Sequence, residues 1–150
     1  MSMYNYEEAV YASTLYVFGK SDRHISVEEK IVFQNHFMHV VTENFFGIKK
    51  ETGLEEDVKK GIIERWVHKQ NVFFQEITES LKSCSIDQKM AIADKIWGFI
   101  KRYHELNGGN IMDYINPLKQ LMESIGISKS TLDDHFINRL GDKLYKFNVL

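Results

Sequence analysis

Residues 18–29 constrain the fold most, because they join two stretches in which apolar side chains recur every three or four positions. Gly19 follows the first stretch, and glycine readily adopts the left-handed conformation that ends many helices. Ser26 and Glu29 have the spacing of a capping box, in which the two side chains accept hydrogen bonds from free N–H groups at a helix start. The segment therefore predicts two helices joined by a short polar loop. These helices cover about residues 5–18 and 26–47.

The middle of the chain continues this helical periodicity. Apolar residues fall four apart at Val58, Ile62 and Trp66 and again at Phe73, Ile77 and Leu81. The step between the two sets is consistent with one long helix or with two, and we favour two helices joined near residues 68–71. Ser85 and Gln88 form a further capping box. It opens a helix over residues 90–103, whose broad apolar face predicts a central position with neighbours on both sides.

Proline and glycine mark the remaining helices. Pro117 predicts a helix with Asn116 as its cap, because a proline in the first turn of a helix loses no intrahelical hydrogen bond. Residues 111–115 are consistent with a short turn before this helix. Gly126 predicts the end of that helix, and a last helix follows Ser128. Its predicted buried stripe consists of Leu132, Phe136, Ile137, Leu140, Leu144 and Phe147. Because no strand pattern of comparable length competes, the sequence predicts an all-α single domain over residues 1–150, with six or seven helices.

Composition narrows the classes of function. The 150 residues carry 19 basic and 21 acidic side chains, a net charge of −2, and no segment concentrates lysine and arginine as a nucleic-acid surface requires. The N-terminus lacks the basic and then apolar order of a signal peptide, and Cys84 is a single cysteine, so we expect a cytoplasmic protein. No apolar run is long enough to span a bilayer, so any membrane association would be peripheral.

Motifs for catalysis are missing from the sequence. It contains no glycine-rich phosphate loop, no zinc-ligand spacing and no nucleophile elbow. Cys84 precedes a predicted helix, a position where thiols are often reactive, but without a traceable histidine partner an inert thiol is the better interpretation. The sequence therefore predicts a protein that is not an enzyme.

Histidine spacing gives little support for a metal centre. No histidine follows a glutamate by three residues, as a ferritin-like di-iron site requires, and only His39 and Glu43 have useful i, i+4 spacing. A cryptic histidine and carboxylate metalloprotein stays open as an alternative because the sequence cannot show whether distant ligands converge. The residues that would form it are His36, His39, Glu43, His68 and His104.

Two carboxylates flank the first interhelical loop. Asp22 lies in the loop, and Glu29 lies in the first turn of the helix that Ser26 caps. Oxygen ligands on a loop and an adjacent helix suit hard cations such as Ca²⁺ or Mg²⁺. The same residues also have a structural explanation, since Glu29 completes the capping box and Asp22 is suited to bonding nearby backbone N–H groups.

The loop resembles the motif of the tellurite-resistance TerB-like domains. In that motif a small residue and an Asp precede Ile-Ser, with a Glu four residues beyond the Ile, and Asp22, Ile25, Ser26 and Glu29 match it. The second half of the chain is similar to the family in the order of its elements. A helix over residues 90–103 is followed by a loop that ends in Ile111. The next helix closes with the sequence Ile-Gly-Ile-Ser at residues 125–128, and a further helix follows it. The resemblance spans about residues 8–137.

This resemblance implies an all-helical domain with two pseudo-related halves, from bacterial stress and defence systems rather than from a family of established enzymes. It also implies a divalent-cation site at the two acidic loops. The chain departs from the family at Arg23, where glycine is usual, and at residues 107–110, where Asn-Gly-Gly-Asn replaces the second Asp-Gly pair. The predicted ligands of Ca²⁺ or Mg²⁺ are therefore Asp22 and Glu29 with Glu105 and Asp113.

The leading prediction is a non-enzymatic TerB-like domain that acts through protein contacts in a bacterial stress-response or envelope-associated complex. The alternative is a helical scaffold without metal, which forms a homo-oligomer or recruits a partner through an exposed aromatic face. Aromatic residues are numerous enough for both a core and such a face, although packing in the core would account for most of them. Those considered are Tyr4, Tyr6, Tyr11, Phe45, Phe46, Phe73, Phe74 and Tyr145.

Overall fold

The computed structural model describes residues 4–20, 56–107 and 109–149, and all regular secondary structure within them is helical. The predicted all-α class is confirmed. The predicted helix over residues 26–47 lies outside the described residues. The helices are α1 (Tyr6–Lys20), α2 (Glu56–His68), α3 (Gln70–Leu81), α4 (Ile86–Asn107), α5 (Met112–Ser124), α6 (Lys129–Asp133), a π-helical segment (Asp134–Arg139) and α7 (Lys143–Val149).

Helix α1 lies at the centre of the described core. Every side chain from Ala9 to Leu15 is fully buried, and the helix packs against α2, α3, α4 and α5. The hydroxyls of Ser13 and Thr14 tolerate this burial because they donate to the carbonyls of Ala9 and Val10, at 2.6 and 2.9 Å. The expectation that residues 90–103 form the central helix is therefore wrong for the described elements, since α1 takes that place.

The predicted break between α2 and α3 is confirmed at Lys69, which leaves the helical conformation with φ −127° and ψ 43°. The two helices are tied together across the break by a double hydrogen bond between Arg65 and Glu76. Arg65 Nε donates to one carboxylate oxygen at 2.9 Å, and Nη2 donates to the other. The predicted apolar positions Phe73, Ile77 and Leu81 are all buried.

Helix α4 begins as the sequence predicts. Gln88 N–H donates to Ser85 Oγ at 3.1 Å, and Ser85 N–H donates to Gln88 Oε1 at 3.0 Å, so the two residues form a reciprocal capping box. The predicted apolar face packs into the core. Its fully buried members are Ile92, Ala93, Ile96, Trp97, Phe99 and Ile100.

The start of α5 differs from the prediction, which placed Asn116 as the cap and Pro117 as the first helical residue. The helix begins at Met112 and contains Pro117 within it. Asn110 makes the earlier start favourable because its side-chain oxygen accepts from the N–H of Met112 at 3.0 Å. Pro117 has no N–H to donate to the carbonyl of Asp113 one turn earlier, and its buried ring packs in the core instead.

The end of α5 is a Schellman motif, as Gly126 predicts. Ile127 N–H donates to the carbonyl of Met122 at 2.9 Å, and Gly126 N–H donates to that of Glu123 at 3.1 Å. This geometry requires φ of 97° at Gly126, a left-handed conformation that glycine adopts without a steric penalty. Buried Ile127 then directs the chain back into the core.

The last part of the chain is not the single helix that the apolar stripe predicts. Ser128 caps α6 by accepting from Thr131 N–H at 3.1 Å, but the helix then widens into the π-helical segment and stops before Gly141, which has φ of 61°. A π-turn contains an additional residue, so the side chains that follow change direction. Leu140 and Phe147 are therefore 56% and 79% exposed, and the prediction that they are buried is wrong.

Candidate functional site

The four predicted cation ligands are only partly described. Asp22 and Glu29 lie outside the described residues. Glu105 is exposed in the last turn of α4, and Asp113 is exposed in the first turn of α5, so these two carboxylates flank the same interhelical loop. Within the described ranges, no three or more His, Cys, Asp or Glu side chains form a group that could hold a metal ion. The four-residue cation site stays a prediction.

The predicted histidine set is also divided. His36, His39 and Glu43 lie outside the described residues, whereas His68 is exposed at the end of α2 and His104 is half-buried near the end of α4. His135 did not stand out in the sequence, yet its Nε2 lies 2.6 Å from Asp94 Oδ1. This pair links the π-helical segment to α4, which is a structural role.

Most of the aromatic residues considered for an exposed face lie in the core. Phe45 and Phe46 are outside the described residues, and Tyr6 and Phe74 are half-buried. The fully or almost fully buried members are Tyr4, Tyr11, Phe73 and Tyr145. Among the described side chains, an exposed aromatic ring is found instead at Phe147 on α7, which the sequence pattern assigns to the core. The π-helical segment and the break that follows it at Gly141 separate Phe147 from the buried stripe, and helical spacing alone does not reveal this.

Helix α7 is anchored by the carboxylate of Asp142. Its Oδ2 accepts from Trp97 Nε1 at 2.9 Å and from Lys101 Nζ at 3.0 Å, and its Oδ1 accepts from Tyr145 N–H at 2.9 Å. Burial by itself would raise the pKa of Asp142, but the hydrogen bonds from Trp97, Tyr145 and Lys101 outweigh it and hold the pKa below its ordinary value. One carboxylate therefore caps α7 and connects it to α4.

Tyr145 fixes the inner face of α7. Its hydroxyl donates to Asp133 Oδ1 at 2.7 Å, and its ring meets that of Trp97 edge-on at 5.3 Å and that of Phe136 at 4.7 Å. Burial, together with the bond to Asp133, raises the pKa of the phenol, so the hydroxyl stays protonated and acts as a donor. These contacts hold the helix in one orientation.

The outer face of this region combines apolar and basic side chains. We define the C-terminal surface as Arg139, Leu140, Lys143, Lys146 and Phe147, all of which are exposed. Lys143 and Phe147 are four residues apart on α7, so they lie on one side of the helix, about opposite to buried Tyr145. The surface carries three positive charges around two large apolar side chains. Its chemistry is therefore complementary to a surface that offers both acidic and apolar groups.

Architecture and contacts together define the described chain as an all-α protein that presents a basic and apolar surface at its C-terminal helix. Comparisons with protein-family models, with curated proteins and with solved structures found no match. The TerB-like resemblance accordingly stays a prediction that depends on its motif residues. Among the described helices, none combines the length and the apolar character needed to cross a membrane.

Proposed function

We propose that this protein is a non-enzymatic helical interaction domain that binds an acidic protein partner through its C-terminal surface. The observation that carries the proposal is the 79% exposure of Phe147 on a helix whose opposite face is fixed in the core. The TerB-like resemblance of the sequence adds the setting, a bacterial stress-response or envelope-associated complex. A divalent cation at the acidic loops, with Asp22, Glu29, Glu105 and Asp113 as ligands, is the regulatory part of the same proposal.

Phe147 has the properties of an interface anchor. Aromatic residues dominate the binding energy of many protein interfaces because a rigid ring buries a large apolar area at a small cost in conformational entropy. Tyr145 and Asp142 hold α7 in place, so the backbone of α7 loses little conformational entropy when a partner covers Phe147. Leu140 extends the apolar contact beyond the helix.

The charges indicate the chemistry of the partner. Arg139, Lys143 and Lys146 make this surface basic although the whole chain has a net charge of −2. Arg139 is only weakly neutralised, because its contact with Asp134 is 3.5 Å long and both side chains are largely exposed. An acidic surface around an apolar pocket would be attracted and oriented by these three cations.

Two other binding partners, a second copy of the chain and an anionic membrane, fit the C-terminal surface less well. A second copy of the chain, packed by the usual two-fold symmetry, would place the same lysines close to each other and would be opposed by their repulsion. An anionic membrane attracts basic residues too, but helices that lie on membranes have a large apolar face, whereas seven-residue α7 uses its inner face for the core. A partner protein therefore remains the best fit.

Site-specific photo-crosslinking tests the proposal. A photoreactive amino acid at position 147 should capture an acidic protein in cells of the organism that encodes the chain, and the same group at Val72, which is 41% exposed on α3, serves as the matched control. The captured protein is then purified and titrated with the wild type. We expect Phe147→Ala and the double variant Lys143→Glu, Lys146→Glu each to weaken its binding at least about tenfold, and salt to weaken it as well.

Three results would refute the proposal. The first is equal affinity of the Phe147→Ala variant for the captured protein. The second is binding to vesicles of anionic phospholipid that Phe147→Ala abolishes, which would assign the surface to a membrane. The third is a concentration-dependent dimer in light scattering that the same substitution dissociates, which would make the partner a second copy.

A further inference from the structure

We draw no further inference here: the strongest candidate, the open depression of about 490 Å³ between the beginning of α1 and α2, carries no site, because its buried Tyr4 hydroxyl interacts with the Arg65 guanidinium that Glu76 already holds and, among the described residues, nothing shows what fills it.

Discussion

Asp142 offers the sharpest test of how the C-terminal region is held, because one carboxylate serves three donors. The substitution Asp142→Ala removes the acceptor of Trp97 Nε1, of Lys101 Nζ and of the backbone N–H of Tyr145. Trp97 is only 2% exposed, so water cannot easily replace the lost acceptor. We expect the variant to fold with α7 loosened from α4.

The magnitude follows from the three contacts. Leaving the buried Trp97 N–H without a partner costs about 1–3 kcal/mol, and loss of an N-cap side chain costs about 0.5–2 kcal/mol. The pair with Lys101 adds at most about 1 kcal/mol, because that ammonium group is 43% exposed and screened by water. These contributions share one carboxylate and do not add fully, so Asp142→Ala should lower the free energy of unfolding by about 2–4 kcal/mol.

Urea denaturation followed by far-UV circular dichroism measures this change in the free energy of unfolding. The slope of that free energy against urea concentration shows whether the wild type and Asp142→Ala expose the same surface area on unfolding. Glu123→Ala, at an exposed position of α5, is the control and should change the free energy of unfolding by no more than about 0.5 kcal/mol. A loss below that value in Asp142→Ala would refute the account of Asp142 as the anchor of α7.

The same carboxylate gives a pH dependence with a defined sign. The pKa of Asp142 in the folded protein lies below its ordinary value, which is about 3.9 in an unfolded chain. Its stabilising contribution is therefore complete above about pH 4 and is lost as the pH falls through the folded pKa. Wild type should lose more stability than Asp142→Asn as the pH falls below about 4. Parallel curves for the two proteins would contradict this assignment.

Two further predictions concern the end of α5 and the cation. Gly126→Ala should lower the free energy of unfolding by about 1–2 kcal/mol in urea denaturation, because alanine is strained at a φ of 97°, and an unchanged value would exclude the Schellman geometry. Isothermal titration of chelator-treated protein with Ca²⁺ and Mg²⁺ should detect binding that Asp22→Ala and Glu29→Ala each weaken and that Glu123→Ala does not, and absence of heat from the wild type would remove the cation from the proposal.

The spacing of residues in the sequence predicted some of the candidate site residues and missed others. The sequence predicted Glu105 and Asp113 at the loop between α4 and α5, and they flank it. The C-terminal surface was missed because the spacing of Leu140 and Phe147 suits a buried stripe in a continuous α-helix. The π-helical segment and the break at Gly141 and Asp142 change their direction, and apolar spacing alone does not reveal that break.

The features that the sequence alone predicted correctly depend on interactions between residues that are close along the chain. The all-α class, the break at Lys69, the capping box at Ser85, the N-cap at Ser128 and the stop at Gly126 each depend on residues within about six positions along the chain. Contacts between distant residues decided the rest.

Tertiary packing placed α1 at the centre of the described core, buried Tyr145 against Trp97 and left Phe147 outside. It also joined Arg65 of α2 to Glu76 of α3 across the break at Lys69. The physical reason is that helical periodicity specifies which face of a segment is apolar, whereas burial and hydrogen bonding depend on which other segments cover that face. The C-terminal surface proposed for binding depends on this second kind of information.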